Sequence, residues 1–180
     1  HVDGQGRALG GVICGTKDFV RKVAEPYLKH TGAAMSPFTA WMHLNGMATM
    51  DLRCRAMADA ALVIAKALSG DDRVSKVIYP GLPDHPDHDL AQQLFRVDHF
   101  GGIVSFELRD AAEPQVPPKN GDYFVFRFME ALRLIQAATS LGDVYSLLLY
   151  PAQSSHHGLG RDERLRRLRQ GPRRGVQWPR

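Results

Sequence analysis

The sequence predicts an α/β chain, in which helices alternate with short strands. Apolar residues make up 44% of its 180 residues and charged residues 23%, which is the composition of a globular protein. Apolar side chains recur at helical spacing up to about residue 70. Beyond residue 72, short β-branched runs alternate with helical segments, which is typical of an α/β chain. No segment is repeated along the chain, so repeat architectures are excluded.

The first predicted elements are a short strand and a helix. A glycine-rich loop opens the chain and leads into Val12–Gly15, an apolar stretch with strand character. Residues 17–29 carry apolar side chains on one face, which predicts a helix. Pro26 would lie in the last turn of that helix, where proline is poorly tolerated.

Two further helices are expected before the change of pattern. Ser36 and Pro37 form a helix start, with an N-cap followed by proline at the first helical position. We expect this helix to end near Asn45-Gly46, where glycine can adopt the left-handed cap. The next helix is predicted from about Met50 to Leu68, and its alanine-rich face would let another element approach closely. Its apolar stripe consists of Leu52, Ala56, Ala60, Val63, Ile64 and Leu68.

The second part of the chain is predicted to alternate between strands and helices. Prolines, glycines and charged residues separate its apolar runs and mark the loops. The expected elements are a strand at 74–79, a helix at 87–97, a strand at 103–108, a surface loop at 110–121, a helix at 123–134, and strands at 135–139 and 146–150 on either side of a tight Gly142-Asp143 turn.

The charge of the chain is unevenly distributed. The formal net charge is +4, but residues 161–180 hold eight arginines against Asp162 and Glu163. The remaining 160 residues therefore carry a balance of −2. A folded nucleic-acid-binding protein presents a basic face on its globular body. The composition therefore argues against nucleic acid as a partner, and an arginine-rich binding arm is kept as an alternative.

The chain shows no signal for a membrane or an oxidising compartment. No apolar run reaches the roughly eighteen residues that a membrane span needs, and no signal-peptide pattern opens the chain. Cys14 and Cys54 are too few for a disulfide framework, so we expect reduced thiols in a cytoplasmic protein.

Three polar clusters are candidate sites. His85 and His88 lie three residues apart, but no third ligand follows at a suitable spacing, so we predict no metal site. The glycines of residues 4–11 precede a strand instead of following one, which predicts a strained turn beside a functional site rather than a phosphate cradle. Ser140 precedes a tight glycine turn and can offer its hydroxyl and amide to an anion. A plain turn is the alternative.

Motifs along residues 1 to about 165 occur in the order of a known enzyme family. They are His1-Val-Asp-Gly-Gln-Gly-Arg7, Gly10-Gly-Val-Ile13, the segments 30–41 and 77–86, Ser140-Leu-Gly-Asp143, Tyr150-Pro-Ala152 and Ser155-His156. With these motifs the chain resembles the Cys/Met-metabolism family of pyridoxal-phosphate (PLP) enzymes. Asp-Gly-Gln-Gly-Arg and His-Thr-Gly-x-x-Met-Ser-Pro-Phe most resemble the sulfhydrylases that use O-succinylhomoserine. Cystathionine and methionine lyases of the family are the alternative.

The resemblance implies the C-terminal part of a fold-type I PLP enzyme. Residues 1–60 would be the end of the large PLP-binding domain with its connecting helix, and residues 61–165 a small α/β domain with a mostly antiparallel sheet. Residues 166–180 depart from the family, and our hypothesis for this arginine-rich tail is a frameshift. We expect the chain to be a fragment of a cytoplasmic homotetramer.

The resemblance also implies the chemistry. The family's PLP-binding lysine lies directly before the position of His1, and Ser140 matches the serine that holds the substrate carboxylate. The activity implied is γ-replacement, in which sulfide displaces succinate from an amino-acid substrate and homocysteine is formed. The family's carboxylate-binding arginine has no match, since Arg173 and Arg174 lie in a different context. We therefore expect this chain alone to be inactive, and a non-catalytic scaffold is the alternative from another class.

Overall fold

A computed structural model describes residues 1–32, 34–95, 99–109 and 124–152, together with 154, 155, 158, 159 and 163. The described residues form two compact units. One contains those up to Arg109 and the segment Ser140–Val144, and the other contains residues 124–139 and those from Tyr145 onward. The elements are α1 Lys17–Phe19, a π-helical turn Val20–Ala24, α2 Glu25–Thr31, α3 Pro37–Met47, α4 Met50–Ser69, β1 Val74–Ile78, α5 His88–Leu94, β2 Ser105–Leu108, α6 Phe124–Glu130, β3 Gln136–Ala137 and β4 Leu147–Leu148.

The first helical stretch, Lys17–Thr31, contains a π-helical turn just before its proline. Glu25 closes this turn by donating its backbone N–H to the carbonyl of Val20. In a regular α-helix the ring of Pro26 would collide with the carbonyl four residues earlier, and its missing N–H would leave that carbonyl unpaired. The wider turn directly before Pro26 accommodates it. The helix predicted over 17–29 is therefore confirmed, with a local change of winding.

Helix α3 begins where the sequence predicts and ends later. Ser36 caps it, because the Ser36 hydroxyl accepts a hydrogen bond from the Thr39 N–H at 3.1 Å. Helix α3 ends at Met47, one residue after the predicted Asn45-Gly46, and Gly46 lies inside the helix instead of forming the predicted left-handed cap. Gly46 is buried inside the helix, and a Cβ there would collide with the Val2 carbonyl and lie 2.7 Å from Asp3 Cα. Close approach of the N-terminal residues, and not helix capping, explains glycine at this position.

Helix α4 packs on the sheet through small side chains. Its buried residues are Ala58, Ala61 and Ala65, at helical spacing. The predicted apolar stripe is not the buried face, because Leu52 is 71% and Val63 68% exposed. Alanines form the buried face because their small side chains let the helix backbone approach β1 and the loop that follows it. Helix α4 passes residue 60 without a break, and the division of domains there stays a prediction.

The core of the first unit centres on Tyr79. Tyr79 is fully buried with Leu82, Ala61 and Ala65, and its hydroxyl donates a hydrogen bond to the Gly101 carbonyl at 2.9 Å. Burial raises the pKa of Tyr79, since the phenolate would lose its hydration. The hydrogen bond satisfies the hydroxyl and keeps it protonated.

Strands β1 and β2 pair antiparallel, with Val74 opposite Leu108 and Ile78 opposite Ser105. This confirms the strands predicted at 74–79 and 103–108. Helix α5 confirms the start of the helix predicted at 87–97 and ends earlier, at Leu94, since Phe95 is extended. Residues 96 and 97 lie outside the described residues.

Strands β3 and β4 pair in parallel, with Gln136 opposite Leu147 and Ala137 opposite Leu148. The predicted strands at 135–139 and 146–150 are thus present but shorter. Residues 138–146 do not form a hairpin between them, because a hairpin joins antiparallel strands. Helix α6 ends at Glu130, earlier than the predicted 134.

The strand predicted at Val12–Gly15 is wrong. These residues have no regular structure, and Val12 is 76% and Ile13 60% exposed. A β-branched run becomes a strand only where a neighbouring strand supplies its backbone partners, and no described strand pairs with it.

Within the described ranges, no helix combines the length and apolar character needed to cross a bilayer. The loop predicted at 110–121 lies outside the described residues, and of the arginine-rich segment 161–180 only residue 163 is described.

Candidate functional site

Ser140 lies in an exposed loop, Ser140–Val144, that reaches the first residue of the chain. Gly142 has a φ of 85°, the left-handed conformation that favours glycine. A Cβ at Gly142 would collide with the backbone nitrogen of His1 and lie 2.7 Å from its Cα. The chain bends at Gly142, where the tight Gly142-Asp143 turn is predicted, and glycine is needed there for both its φ and its close approach to His1.

Asp143 brings a carboxylate to the same place. Its Oδ1 accepts a hydrogen bond from the Val144 N–H at 2.6 Å. Its Oδ2 would lie 3.1 Å from a Cβ on Gly6, so the Asp143 side chain also reaches the residues after His1. The loop Ser140–Val144 and the start of the chain therefore contact each other at two points.

The N-terminal loop, defined here as His1–Arg7, is shaped by the buried carboxylate of Asp3. Asp3 Oδ2 accepts hydrogen bonds from the N–H of Arg7 at 2.7 Å and of Gln5 at 3.3 Å. Asp3 Oδ1 accepts from Nη2 and Nε of Arg7 at 2.7 and 3.0 Å. The hydrogen bonds from the Arg7 side chain, followed by the one from its backbone, lower the pKa of Asp3 from 3.8 to about 2.

Two glycines complete this loop, with φ of 76° at Gly4 and 65° at Gly6. The chain bends at these glycines, and the predicted place of this turn beside a functional site stays a prediction. The N–H groups of Gln5 and Arg7, which a phosphate would need as donors, point at Asp3 instead. The Asp3 carboxylate thus occupies the place of the anion that a cradle would bind.

Arg53, on the first turn of α4, ties the N-terminal loop to the rest of the unit. Its Nη1 donates to the carbonyl of His1 at 2.9 Å, and its Nη2 donates to that of Val2 at 3.3 Å. Nη2 also donates to the Gly46 carbonyl at 2.7 Å, and Nε donates to the Thr49 hydroxyl at 3.1 Å. One guanidinium therefore joins the start of the chain to the corner between α3 and α4.

His43 contacts the far end of the glycine-rich segment. It is buried on α3, and its Nε2 lies 3.3 Å from the Leu9 carbonyl. A Cβ on Gly10 would collide with this ring. Sequence reasoning missed both His43 and Arg53, whose partners lie 34 and up to 52 residues away, so no local pattern marks them.

The two histidines considered as metal ligands, His85 and His88, have structural contacts. His88 Nδ1 lies 2.8 Å from the Pro80 carbonyl, and its ring stacks on Phe100 with centroids 5.6 Å apart. His85 Nδ1 accepts the N–H of Asp87 at 3.2 Å. Among the described residues, no three His, Cys, Asp or Glu side chains are grouped in a way that could hold a metal ion. His156 lies outside the described residues.

Comparison with known proteins identifies relatives for nearly the whole chain. Residues 1–170 match the family model described as Cys/Met metabolism PLP-dependent enzyme. The chain is 35% identical to O-succinylhomoserine sulfhydrylase of Pseudomonas aeruginosa over 166 residues, which is 92% of this chain and 38% of that protein. It is 35% identical to canavanine gamma-lyase of Pseudomonas canavaninivorans over 158 residues, which is 88% of this chain and 37% of that protein.

Solved structures match the fold. Cystathionine gamma-lyase from yeast aligns with a TM-score of 0.79 and 32% identity, over 91% of this chain and 39% of that chain. The chain spans less than two fifths of the length of the curated relatives described above, 38% and 37%. The predicted α/β class is confirmed, as is PLP as the cofactor of the family. This chain belongs to the Cys/Met metabolism PLP-dependent enzymes.

Proposed function

We propose that this chain is the substrate-carboxylate-binding part of a PLP-dependent transsulfuration enzyme that makes homocysteine from O-succinylhomoserine and sulfide. The observation that carries the proposal is the contact of the Ser140–Val144 loop with His1. In the family that this chain resembles, the PLP-binding lysine directly precedes that position. The 35% identity with a sulfhydrylase named for O-succinylhomoserine supports the choice of substrate.

The positions of Ser140 and of the N-terminal loop support a substrate site that would lie next to the cofactor. Ser140 is exposed, and the close approach of Gly142 to His1 keeps its loop next to the lysine position. The Asp3 carboxylate already fills the N-terminal loop, so that loop has no room for the cofactor's phosphate. We therefore assign substrate contacts to this chain and place the groups that bind the phosphate and ring of PLP before His1.

The chemistry divides between cofactor and chain. When bound, PLP withdraws the electrons left on the substrate when its α-proton is removed. Ser140 donates its hydroxyl hydrogen to the substrate α-carboxylate and thereby orients the α-carbon. The turn at Gly142 holds Ser140 in place, and the bond from Val144 N–H to Asp143 holds the turn. We do not assign the binding of the substrate carboxylate to Arg173 or Arg174.

Substitution of Ser140 tests the proposed contact. A hydrogen bond to a charged group is worth about 1.5–3 kcal/mol, so Ser140→Ala should raise KM for O-succinylhomoserine roughly tenfold to a hundredfold. Ser146→Ala, at an exposed serine six residues further on, is the matched control. The measurement is homocysteine formation by the natural protein that carries these residues. An unchanged KM in Ser140→Ala would contradict the assignment.

The isolated chain of residues 1–180 should form no homocysteine when given PLP, O-succinylhomoserine and sulfide. The proposal places the lysine that binds PLP before His1, and without it no group of the chain takes the α-proton. Homocysteine formed by the purified chain would show that the proposal is wrong.

A lyase of the same family is the second candidate. The 35% identity with a canavanine gamma-lyase supports this candidate. A lyase eliminates the γ-substituent of its substrate and needs no sulfide, which distinguishes it from a sulfhydrylase. Ammonia released from cystathionine or methionine in the absence of sulfide, faster than homocysteine forms in its presence, would select the lyase.

We also propose a cytoplasmic homotetramer. Apolar side chains that this chain leaves exposed support an assembly, among them the stacked Phe38 and Trp41 of α3, which are 66% and 59% exposed. The molar mass of the natural protein in analytical ultracentrifugation checks this, and a monomer would contradict it.

A further inference from the structure

We propose that Arg53 is a positioning residue, which fixes the backbone directly after the lysine that binds PLP. This inference rests on the proposed function, which places that lysine before His1. Arg53 holds the carbonyls of His1 and Val2 at 2.9 and 3.3 Å. These are the first two carbonyls after the lysine position, so their location limits where the lysine side chain can start.

Arg53 has a fixed position because it belongs to helix α4, which is packed into the core. Helix α4 buries Ala58, Ala61 and Ala65, the first of these five residues after Arg53. Two further bonds, from Nη2 to the Gly46 carbonyl and from Nε to the Thr49 hydroxyl, hold the guanidinium at the corner between α3 and α4. A guanidinium with this many partners keeps a single orientation.

Two glycines bring the loop close enough to be held. A Cβ on Gly4 would collide with the Arg53 guanidinium, and a Cβ on Gly46 would collide with the Val2 carbonyl. A side chain at Gly4 or at Gly46 would therefore push the N-terminal loop away from Arg53. The loop in turn contacts Gly142, so Arg53 also supports the surface on which the Ser140 loop rests.

The planar fork of arginine is needed here. Nη1 and Nη2 point to carbonyls of consecutive residues, while Nε points to Thr49. Lysine has one nitrogen on a flexible stem and cannot reach these acceptors together. Misplacement of a reacting group by about 1 Å can cost roughly a hundredfold in rate. Loss of the anchor should therefore lower kcat more than it raises KM.

The test uses the natural protein with Arg53→Met, which keeps the length and helix propensity of the side chain but removes its donors. Arg55→Met is the matched control, because Arg55 lies on the same helix and pairs with Asp51 on the exposed surface at 2.9 Å. Three readouts are compared: amide hydrogen exchange of residues 2–7 in the cofactor-free protein, the pH titration of the visible band of bound PLP, and kcat with KM.

Arg53→Met should accelerate exchange of the loop amides, shift the titration of the visible band and lower kcat about a hundredfold. Arg55→Met should change each readout by less than about twofold. If Arg53→Met does not fold, Arg53→Lys replaces it, and we expect faster loop exchange and a kcat at least about tenfold below wild type.

The outcomes separate the two proposals. A wild-type protein without a visible PLP band would overturn the proposed function. A wild-type protein that has the band, while its Arg53 variant keeps the wild-type loop exchange, band titration and kcat, would overturn the positioning role and leave the proposed function standing.

Discussion

The N-terminal loop and the helical stretch Lys17–Thr31 are close in sequence but are stabilised differently. In the helical stretch, the ion pairs Arg21–Glu25 and Lys22–Asp18 are local and exposed, each at 2.7 Å. In the N-terminal loop, the bonds from Arg53 reach residues 51 and 52 positions away. Backbone hydrogen bonds within the helical stretch determine its conformation. The conformation of the N-terminal loop depends instead on side-chain hydrogen bonds and on close contacts with α3 and α4.

Single substitutions should therefore have different effects in the two regions. A helix keeps most of its hydrogen bonds when one surface side chain is removed, because they lie in its backbone. The N-terminal loop has no backbone ladder, so its conformation depends on Asp3, Arg53 and the space left at Gly46. We therefore expect large effects from changes around the loop and small ones from changes on the exposed helix.

The largest effect is expected from Gly46→Ala. Alanine favours a free helix over glycine by about 1 kcal/mol. Its Cβ would collide with the Val2 carbonyl, a backbone atom that cannot rotate away, and such overpacking costs up to about 3 kcal/mol. We expect a net loss of about 2 kcal/mol in the free energy of unfolding, measured by urea denaturation. Gly11→Ala is the control, since a Cβ there meets nothing within 4 Å. Equal stability of wild type and Gly46→Ala would show that the space at Gly46 does not hold the N-terminal loop.

The next effect is that of Asp3→Asn, and it should depend on pH. The pKa of Asp3 is lowered from 3.8 to about 2, so the charged carboxylate stabilises the folded loop. That stabilisation is fully present above 3.8 and is lost as the pH falls towards about 2. The difference in thermal midpoint between wild type and Asp3→Asn should shrink over this range. Asp18→Asn is the control, since this side chain is 78% exposed and its ion pair contributes little to stability.

A smaller effect is expected from Ser36→Ala at the start of α3. Loss of the hydrogen bond from the Thr39 N–H leaves a helix donor without its cap and should cost about 1 kcal/mol in unfolding free energy. Ser36→Asp keeps an acceptor at this position and should restore the stability. A destabilised Ser36→Asp would show that the hydroxyl has another role.

The smallest effect is expected from Arg21→Ala in the helical stretch. Its ion pair with Glu25 joins side chains that are 67% and 53% exposed, and such pairs contribute about 0.5 kcal/mol or less. The small difference from wild type should vanish in high salt. A loss above about 1 kcal/mol would show that the exposed helix depends on its side chains as the loop does.

Local patterns predicted the elements that depend on neighbouring residues. The N-cap Ser36, the helix from Met50 and the positions of strands β1 and β2 are confirmed, because their signals lie within a few residues. The antiparallel pairing of the two strands joins residues about 30 positions apart and has no such local signal. The left-handed bend at Gly142 also has a local signal, because glycine favours a positive φ. The strand at Val12–Gly15 is wrong, since a strand needs partners that its own residues do not supply.

Local sequence patterns were enough to locate the starts of α3 and α4 and to show which family the motifs resemble. The tertiary structure decided that the Ser140–Val144 loop contacts His1, that Gly46 lies under Val2 and that Arg53 joins the N-terminal loop to α4. The two groups of features differ in how far apart along the chain the interacting residues lie. Bonds within about four residues are set by local backbone preferences. A contact across fifty residues exists only once the helices between have packed.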